Sequence, residues 1–162
     1  MGDPLSEAEK RALALIAVAT DVADLCQMAA NAHGKSSEVE RAALRRLAAI
    51  SPQAAVGTVE HACWTMVHAV EELRRLAGRK AVRMNRMRRK IQDDGEVAAL
   101  AYCASKRTDG FEEVLAYGAP ELTAEAIVLR FPDIFDERVR SIARSRLVDA
   151  GVTLDENGDV RL

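Results

Sequence analysis

Apolar residues recur every three to four positions through most of this chain, a spacing that places them on one face of an α-helix. Glycine and proline interrupt the pattern and divide it into seven predicted helices. Three of these precede residue 95, at 7–33, 38–50 and 52–92, and four follow it, at 96–104, 110–117, 124–131 and 137–150. The chain is therefore predicted to be mainly α-helical.

Capping boxes support three of the predicted helix starts. In such a box, a side chain at the helix start accepts a hydrogen bond from a backbone amide, and a carboxylate three residues on accepts one in return. The boxes are Ser6-x-x-Glu9, Ser37-x-x-Glu40 and Asp109-x-x-Glu112, and Asp136 is placed to cap the last helix. We expect each of these residues to lie at a helix start.

The third predicted helix carries a heptad pattern. Alternating steps of three and four from Val56 to Ile91 reach apolar residues at every position except Lys80. Such a pattern predicts that the helix packs along its length against another helix, either in the same chain or in a second copy. Gly57 and Gly78 leave a further alternative open, because either could break the helix. A homodimer joined through this helix is the partner arrangement we expect.

The same stretch holds the positive charge of the chain. Residues 74–90 contain nine arginines and lysines and no acid, whereas the segments on either side are net acidic. Arg79, Arg83 and Arg86 have no acid three or four residues away, which makes them candidates for phosphate contacts. The Asp93-Asp94-Gly95 sequence ends this basic helix. It predicts a helical oligomerisation or interaction region at 1–94 and a second domain at 95–162.

The composition agrees with packed helices in a reducing compartment. Hydrophobic residues make up 49% of the chain but aromatic residues only 4%, whereas strands favour aromatic and β-branched residues. Three cysteines without a C-x-x-C pair indicate free thiols. The first apolar run, at 12–19, is short and follows an acidic start. It predicts a buried helix of a cytoplasmic protein and no membrane segment.

The last residues of the chain predict a hairpin. VTLDENGDVRL alternates apolar and polar residues on both sides of Asn157-Gly158, which is typical of two strands joined by a tight turn. Together with the two helices before it, this hairpin gives the stretch from Leu122 to Leu162 an element order that resembles the winged helix-turn-helix superfamily of DNA-binding proteins. The resemblance covers the C-terminal third of the chain. It implies a small winged helix-turn-helix-like domain that ends in a β-hairpin.

In that resemblance, the helix at 137–150 is the recognition helix that enters the major groove of DNA. Arginine suits this role because it can bind guanine or a phosphate with two hydrogen bonds. The candidate DNA-binding residues are Arg138, Arg140, Ser141, Arg144 and Ser145, supported by Arg79, Arg83 and Arg86 of the basic helix. The implied function is that of a transcriptional regulator, or of a replication or partition accessory factor, that binds double-stranded DNA.

Other features favour a different function. Asp155, Glu156 and Asp159 place three acids in the predicted wing, where a wing in contact with phosphates would carry basic residues. The pI of about 6.0 is also low for a nucleic-acid-binding protein. The alternative is a protein-protein adaptor, in which the basic helix binds the acidic flanks of the chain or an acidic partner protein.

Signatures of enzymes and metal sites are missing from the sequence. It contains no G-x-x-x-x-G-K-[ST], G-x-G-x-x-G, H-E-x-x-H or G-x-S-x-G pattern. His61 and His68 are predicted to point away from Cys63, so we expect no metal site. The carboxylates are scattered or used in caps. We predict no enzymatic activity, no catalytic residue and no cofactor.

Overall fold

The computed structural model describes residues 4–50, 53–106 and 108–162, and within these ranges the regular structure is helical. The described α-helices are α1 (Glu7–Val18), α2 (Val22–Ala32), α3 (Ser37–Ile50), α4 (Val59–Leu76), α5 (Asn85–Asp94), α6 (Glu96–Ser105), α7 (Asp109–Ala116), α8 (Ala124–Arg130) and α9 (Glu137–Asp149). A short 3-10 helix, Pro120–Leu122, precedes α8. The chain divides into two compact units, residues 1–52 with α1 to α3, and residues 53–162 with α4 to α9.

The first unit consists of three helices around a small apolar core. Both α1 and α2 pack against α3, and the core includes the buried residues Ile16, Leu25, Ala29, Val39, Ala43 and Leu47. The single helix predicted at 7–33 is wrong, because the chain is not helical at 19–21. There, the Asp21 side chain accepts a 2.9 Å hydrogen bond from the Asp24 amide and caps α2. Aspartate favours such a local bond over an uninterrupted helix, which explains the break.

Of the two capping boxes predicted in this unit, one is confirmed and the other is wrong. Ser6 and Glu9 form the predicted box, each side chain accepting a hydrogen bond from the backbone amide of the other. The box predicted at Ser37 is wrong by one residue, because Ser37 is already the first residue of α3. The hydroxyl of Ser36 instead accepts the bond from the Val39 amide.

The helix predicted at 52–92 consists of two helices, so this prediction is also wrong. Its expected start at Ser51-Pro52 lies outside the described residues. α4 begins at Val59 after the N-cap Thr58, and α5 begins only at Asn85. Gly78 follows the end of α4 with a φ of 67°. Glycine adopts this left-handed conformation readily, and it commonly ends helices.

The heptad positions are shared between α4 and α5 and contribute to one core. Cys63 and Met66 of α4 are buried in the same apolar cluster as Met87 and Ile91 of α5. Val56, where the pattern starts, is 85% exposed. Most apolar residues of the heptad pattern are thus covered within the second unit itself. The pattern therefore offers no free face for a coiled coil. The expected homodimer stays a prediction, without the support of this pattern.

The remaining helices of the second unit follow the predicted bounds to within one residue at each end. α8 packs against α6 and α9. Asp136 caps α9 as predicted, because its side chain accepts a 2.9 Å hydrogen bond from the Val139 amide. The capping box predicted at Asp109 is wrong by one residue, because Thr108 occupies the N-cap of α7, and Thr108 makes no side-chain hydrogen bond there. The boundary predicted after residue 94 coincides with the end of α5, whereas the compact units divide after residue 52.

The described chain does not end in a wing. A turn forms at Asn157-Gly158, and Leu154 and Val160 make one antiparallel bridge, but no strand or sheet is present in the described ranges. The carboxylate of Asp155 closes the turn by accepting hydrogen bonds of 2.8 and 2.9 Å from the amides of residues 157 and 159. Backbone hydrogen bonds also pair the two sides of the turn, from the Asp155 amide to the Asp159 carbonyl at 2.8 Å and from the Arg161 amide to the Thr153 carbonyl at 2.9 Å, but they do not extend into strands. The predicted fold class, with a winged helix-turn-helix-like domain ending in a β-hairpin, is wrong.

Candidate functional site

Most of the basic segment 74–90 is neutralised by acids outside it. Five of its nine cations form ion pairs with acids before or after it in the sequence: Arg74, Arg75, Arg79, Arg88 and Lys90. The other four are exposed and have no ion-pair partner in the described ranges: Lys80, Arg83, Arg86 and Arg89. Within the basic segment, these four cations are therefore the ones whose charge no acid of the described chain balances.

Glu113 of α7 binds two of the paired cations. Its carboxylate accepts hydrogen bonds of 3.0 and 3.1 Å from Nη2 and Nε of Arg74, and Nη1 of Arg79 lies 3.0 Å from Oε1. Burial tends to raise the pKa of the Glu113 carboxyl, but the hydrogen bonds and charges of the two arginines hold it below its usual value. Arg79, which has no local acid, is thus paired with a residue far away in the sequence.

Glu71 of α4 connects this helix to the start of α5. Nε and Nη2 of Arg88 each donate a 2.7 Å hydrogen bond to its two oxygens, and the Met84 amide donates a third of 2.8 Å. Burial tends to raise the pKa of Glu71, but these donors outweigh it and lower the pKa. The carboxylate therefore fixes the start of α5 against α4.

Two of the four unpaired cations line a groove in the second unit. The groove has a volume of about 750 Å³, and its basic lining residues are Arg74, Arg83, Arg86, Lys90 and Lys106. No carboxylate lies among its described lining residues. Lys106, at the end of α6, is exposed and has no ion-pair partner in the described ranges. Arg83, Arg86 and Lys106 thus meet as three free cations from two separate segments.

The start of α5 adds to the positive potential of this groove. α5 begins at Asn85, its N-cap residue Met84 makes no side-chain cap hydrogen bond, and both residues line the groove. The unpaired amides in the first turn of a helix are equivalent to roughly half a positive charge. They add positive potential at this end of the groove, part of which the Glu71 carboxylate at the Met84 amide offsets.

One aromatic ring lies in the wall of the groove. Tyr102 of α6 is 50% exposed, and it is the only aromatic side chain among the exposed large hydrophobic residues of the described chain. The Lys90 ammonium lies 5.0 Å from the centroid of the Tyr102 ring and 2.8 Å from Asp94. The hydrogen bond to Asp94 raises the pKa of Lys90. The groove therefore offers an aromatic ring beside fixed positive charge.

The candidate residues of the predicted recognition helix lie outside this groove. On α9, Arg138, Ser141, Arg144 and Ser145 are exposed, and none of them lines the groove. Arg140 is half-buried, and its Nη2 lies 2.5 Å from Glu137. The eight candidates thus divide between α9, the groove and, for Arg79, the ion pair with Glu113.

Arg146 of α9 faces the interior of the second unit. Its Nη1 donates hydrogen bonds to the carbonyls of residues 103, 104 and 106 at 3.1, 3.1 and 2.6 Å, and it lies 2.9 Å from Oε1 of the buried Glu125. The carboxylate receives no hydrogen bond from it. Burial is the main reason that the pKa of Glu125 is raised to about 7. Arg146 thereby fixes the end of α6, where Lys106 lies.

Sequence patterns did not identify Lys106 and Tyr102. Lys106 belongs to the net acidic C-terminal segment, and Tyr102 is one tyrosine on a short apolar helix. The one available signal in the sequence was the basic pair at 106–107. This signal does not place Lys106 at the groove, because the groove forms only where α6 ends beside the start of α5. That arrangement is a property of the fold and not of a local pattern.

The thiols and carboxylates do not suggest further chemistry. No described cysteine forms a disulfide, and burial raises the pKa of Cys63 to about 12 and of Cys103 to about 11. Such thiols are poor nucleophiles at neutral pH. In the described ranges, no three histidine, cysteine or acidic side chains are grouped so that they could hold a metal ion.

No described helix is both long and apolar enough to cross a membrane. No protein-family model, no curated protein and no solved structure matches this chain.

Proposed function

We propose that this chain binds nucleic acid and that the phosphates lie against the basic groove. The observation that carries the proposal is the meeting of Arg83, Arg86 and Lys106 in a groove without a carboxylate among its described lining residues. Like charges held together repel one another. A polyanion relieves this repulsion, and the counterions that it releases favour binding further.

The ion pairs of the other cations support the proposal that Arg83, Arg86 and Lys106 bind a ligand. Glu113 binds Arg74 and Arg79, and Glu71 binds Arg88 with two hydrogen bonds. The fold thus neutralises the cations that connect its helices. A structural role accounts for those pairs, whereas it leaves the free cations of the groove unexplained.

The proposed ligand is DNA, and the proposed role is that of a transcriptional regulator or of a replication or partition accessory factor. A winged domain has no part in it. Exposed Arg138 and Arg144 on α9 are available for additional phosphate contacts. Because phosphate contacts carry no sequence information directly, this mode of binding predicts a weak sequence preference.

Fluorescence anisotropy with a labelled random-sequence duplex tests the proposal. At about 50 mM salt, where contacts to phosphates are strong, we expect the wild type to bind. The triple variant Arg83→Ala, Arg86→Ala and Lys106→Ala should bind about ten-fold more weakly or worse, because it loses three phosphate contacts.

A matched variant controls for net charge. Arg11→Ala, Lys35→Ala and Arg161→Ala remove the same charge from exposed positions that do not line the groove. This variant should keep its affinity to within about two-fold. A wild-type protein that binds neither this duplex nor a single strand of the same length, or equal losses in the two triple variants, would overturn the proposal.

An acidic protein is the second candidate ligand, as in the adaptor hypothesis. It is favoured by the carboxylates of Glu71, Glu72, Asp94 and Glu113, which already bind this segment from within the chain. Labelled polyglutamate in the same assay separates the two candidates. Equal affinity for polyglutamate and for DNA of the same charge would favour an acidic protein partner.

A further inference from the structure

We infer that the groove takes a single strand of nucleic acid, with one base stacked on Tyr102. This inference rests on the proposed function and specifies the form of its ligand. It starts from the position of Tyr102, which lies in the groove wall and is half exposed. The other phenylalanine, tyrosine and tryptophan side chains of the described chain are buried or partly buried.

A duplex does not use such a ring. In double-stranded DNA the faces of the bases are stacked on one another inside the helix, so that an aromatic side chain on the protein meets phosphates and base edges only. In a single strand the bases can turn outward and stack on an aromatic ring, while cations follow the backbone. An exposed tyrosine among cations is therefore better suited to a single strand.

The charges around the ring fit the same ligand. The Lys90 ammonium lies over one face of the Tyr102 ring, 5.0 Å from its centroid, so that a base would stack on the other face, and Arg83, Arg86 and Lys106 line the same groove. A base on Tyr102 would thus have cations within reach of the phosphates on either side of it. Asn85 also lines the groove and is exposed, and its amide can donate to and accept from a base edge.

The size of the groove supports the same conclusion. Its volume of about 750 Å³ lies in the range of roughly 300 to 1,000 Å³ that is typical of pockets enclosing a whole small molecule. A base with its sugar and phosphate is a ligand of that kind.

Fluorescence anisotropy with a labelled twenty-residue oligothymidylate and a duplex of the same length, at equal salt, tests the inference. We expect the single strand to bind at least about five-fold more tightly than the duplex. Tyr102→Ala should weaken single-strand binding by about five-fold or more, whereas Tyr102→Phe, which keeps the ring, should stay close to the wild type. Val97→Ala, at another exposed position of α6, is the control and should have no effect.

The outcomes separate this inference from the proposed function. If the duplex binds at least as tightly as the single strand, or if Tyr102→Ala binds the single strand like the wild type, the inference is overturned and nucleic-acid binding stands. If neither oligonucleotide binds, both are overturned.

Discussion

Arg88 and Glu71 form two parallel hydrogen bonds of 2.7 Å that connect α5 to α4. The same carboxylate accepts the Met84 amide at 2.8 Å, just before α5 begins. The pair therefore determines where the basic segment turns back after α4 ends. It also places Arg83 and Arg86 at the groove, because they flank the point that Glu71 fixes.

Removing this carboxylate should destabilise the second unit. Glu71→Ala leaves the half-buried Arg88 and the Met84 amide without their acceptor, so we expect the free energy of unfolding to fall by about 2 kcal/mol. Urea denaturation followed by Trp64 fluorescence measures the change, since the Arg88 guanidinium lies 5.3 Å from the centroid of the Trp64 ring.

Asp94→Ala provides the control for this effect. It removes the acid of another ion pair of α5, in which the side chains of Lys90 and Asp94 are 37% and 47% exposed. An exposed pair of this kind contributes less than about 1 kcal/mol. Equal losses in Glu71→Ala and Asp94→Ala would contradict the structural role assigned to Glu71.

The break after α4 depends on the backbone conformation of one glycine. Gly78 has a φ of 67°, and an added Cβ would meet no atom within 4 Å. Gly78→Ala should therefore cost about 1 to 2 kcal/mol from backbone strain alone. Denaturant unfolding measures this cost.

Gly110→Ala is the matched substitution in a helix. Gly110 lies in α7, and its added Cβ would meet Met84 Cε at 3.8 Å, an ordinary van der Waals distance. This variant should be as stable as the wild type or more stable by up to about 1 kcal/mol. A loss as large as that of Gly78→Ala would contradict the conformational explanation of the break.

The stability of the second unit should depend on pH through Glu125. Burial raises the pKa of this carboxyl to about 7 in the folded chain, from an ordinary value of 4.5. Between these values the folded state binds more protons than the unfolded state. The contribution of Glu125 to the free energy of unfolding therefore falls as the pH rises from about 4.5 to about 7. The whole change corresponds to roughly 3 kcal/mol.

Glu125→Gln reveals this contribution, because glutamine stays uncharged throughout. In urea denaturation, the free energy of unfolding of the variant relative to that of the wild type should be higher at pH 8 than at pH 5. Glu156→Gln, on the exposed turn, should differ from the wild type by the same amount at both pH values. A Glu125→Gln variant that loses stability relative to the wild type as the pH rises would indicate that the charged form is the favoured one.

The salt dependence of DNA binding should report the contacts in the groove. Each phosphate contact adds roughly 0.7 to 0.9 to the slope of log affinity against log salt concentration. The variant without Arg83, Arg86 and Lys106 should therefore have a slope smaller by about 2 to 3. An unchanged slope would mean that these cations do not meet phosphates.

Local signals in the sequence predicted most helix ends. The bounds of α6 to α9 are confirmed to within one residue, because caps and glycines act over a single turn. The break at 19–21 was missed, and the break after Leu76 was foreseen only as an alternative, through Gly78. Apolar spacing continues across both breaks, since the helices on either side bury their faces in the same core. Periodicity indicates a buried face and does not tell whether one helix or two provide it.

The candidate site was harder to predict, because charge pairing in this fold is not local. Arg79 appeared free in the sequence, yet Glu113 of α7 lies 3.0 Å from it. Arg88 finds its acceptor in Glu71 of the preceding helix. Lys106 joins the groove only because α6 ends beside the start of α5. Arg83 and Arg86 were identified correctly as cations without a partner, and their role in binding stays a prediction.

The most direct test of the account is a titration of the ¹⁵N-labelled full chain with a nucleic acid oligomer, followed by amide chemical shifts. We predict that the largest shifts occur at residues 83–90 and 102–106, around the groove, with smaller ones at 138–145 on α9. Shifts confined to α9, or no shifts at about 50 mM salt, where contacts to phosphates are strong, would contradict the claim that the groove is the nucleic-acid site.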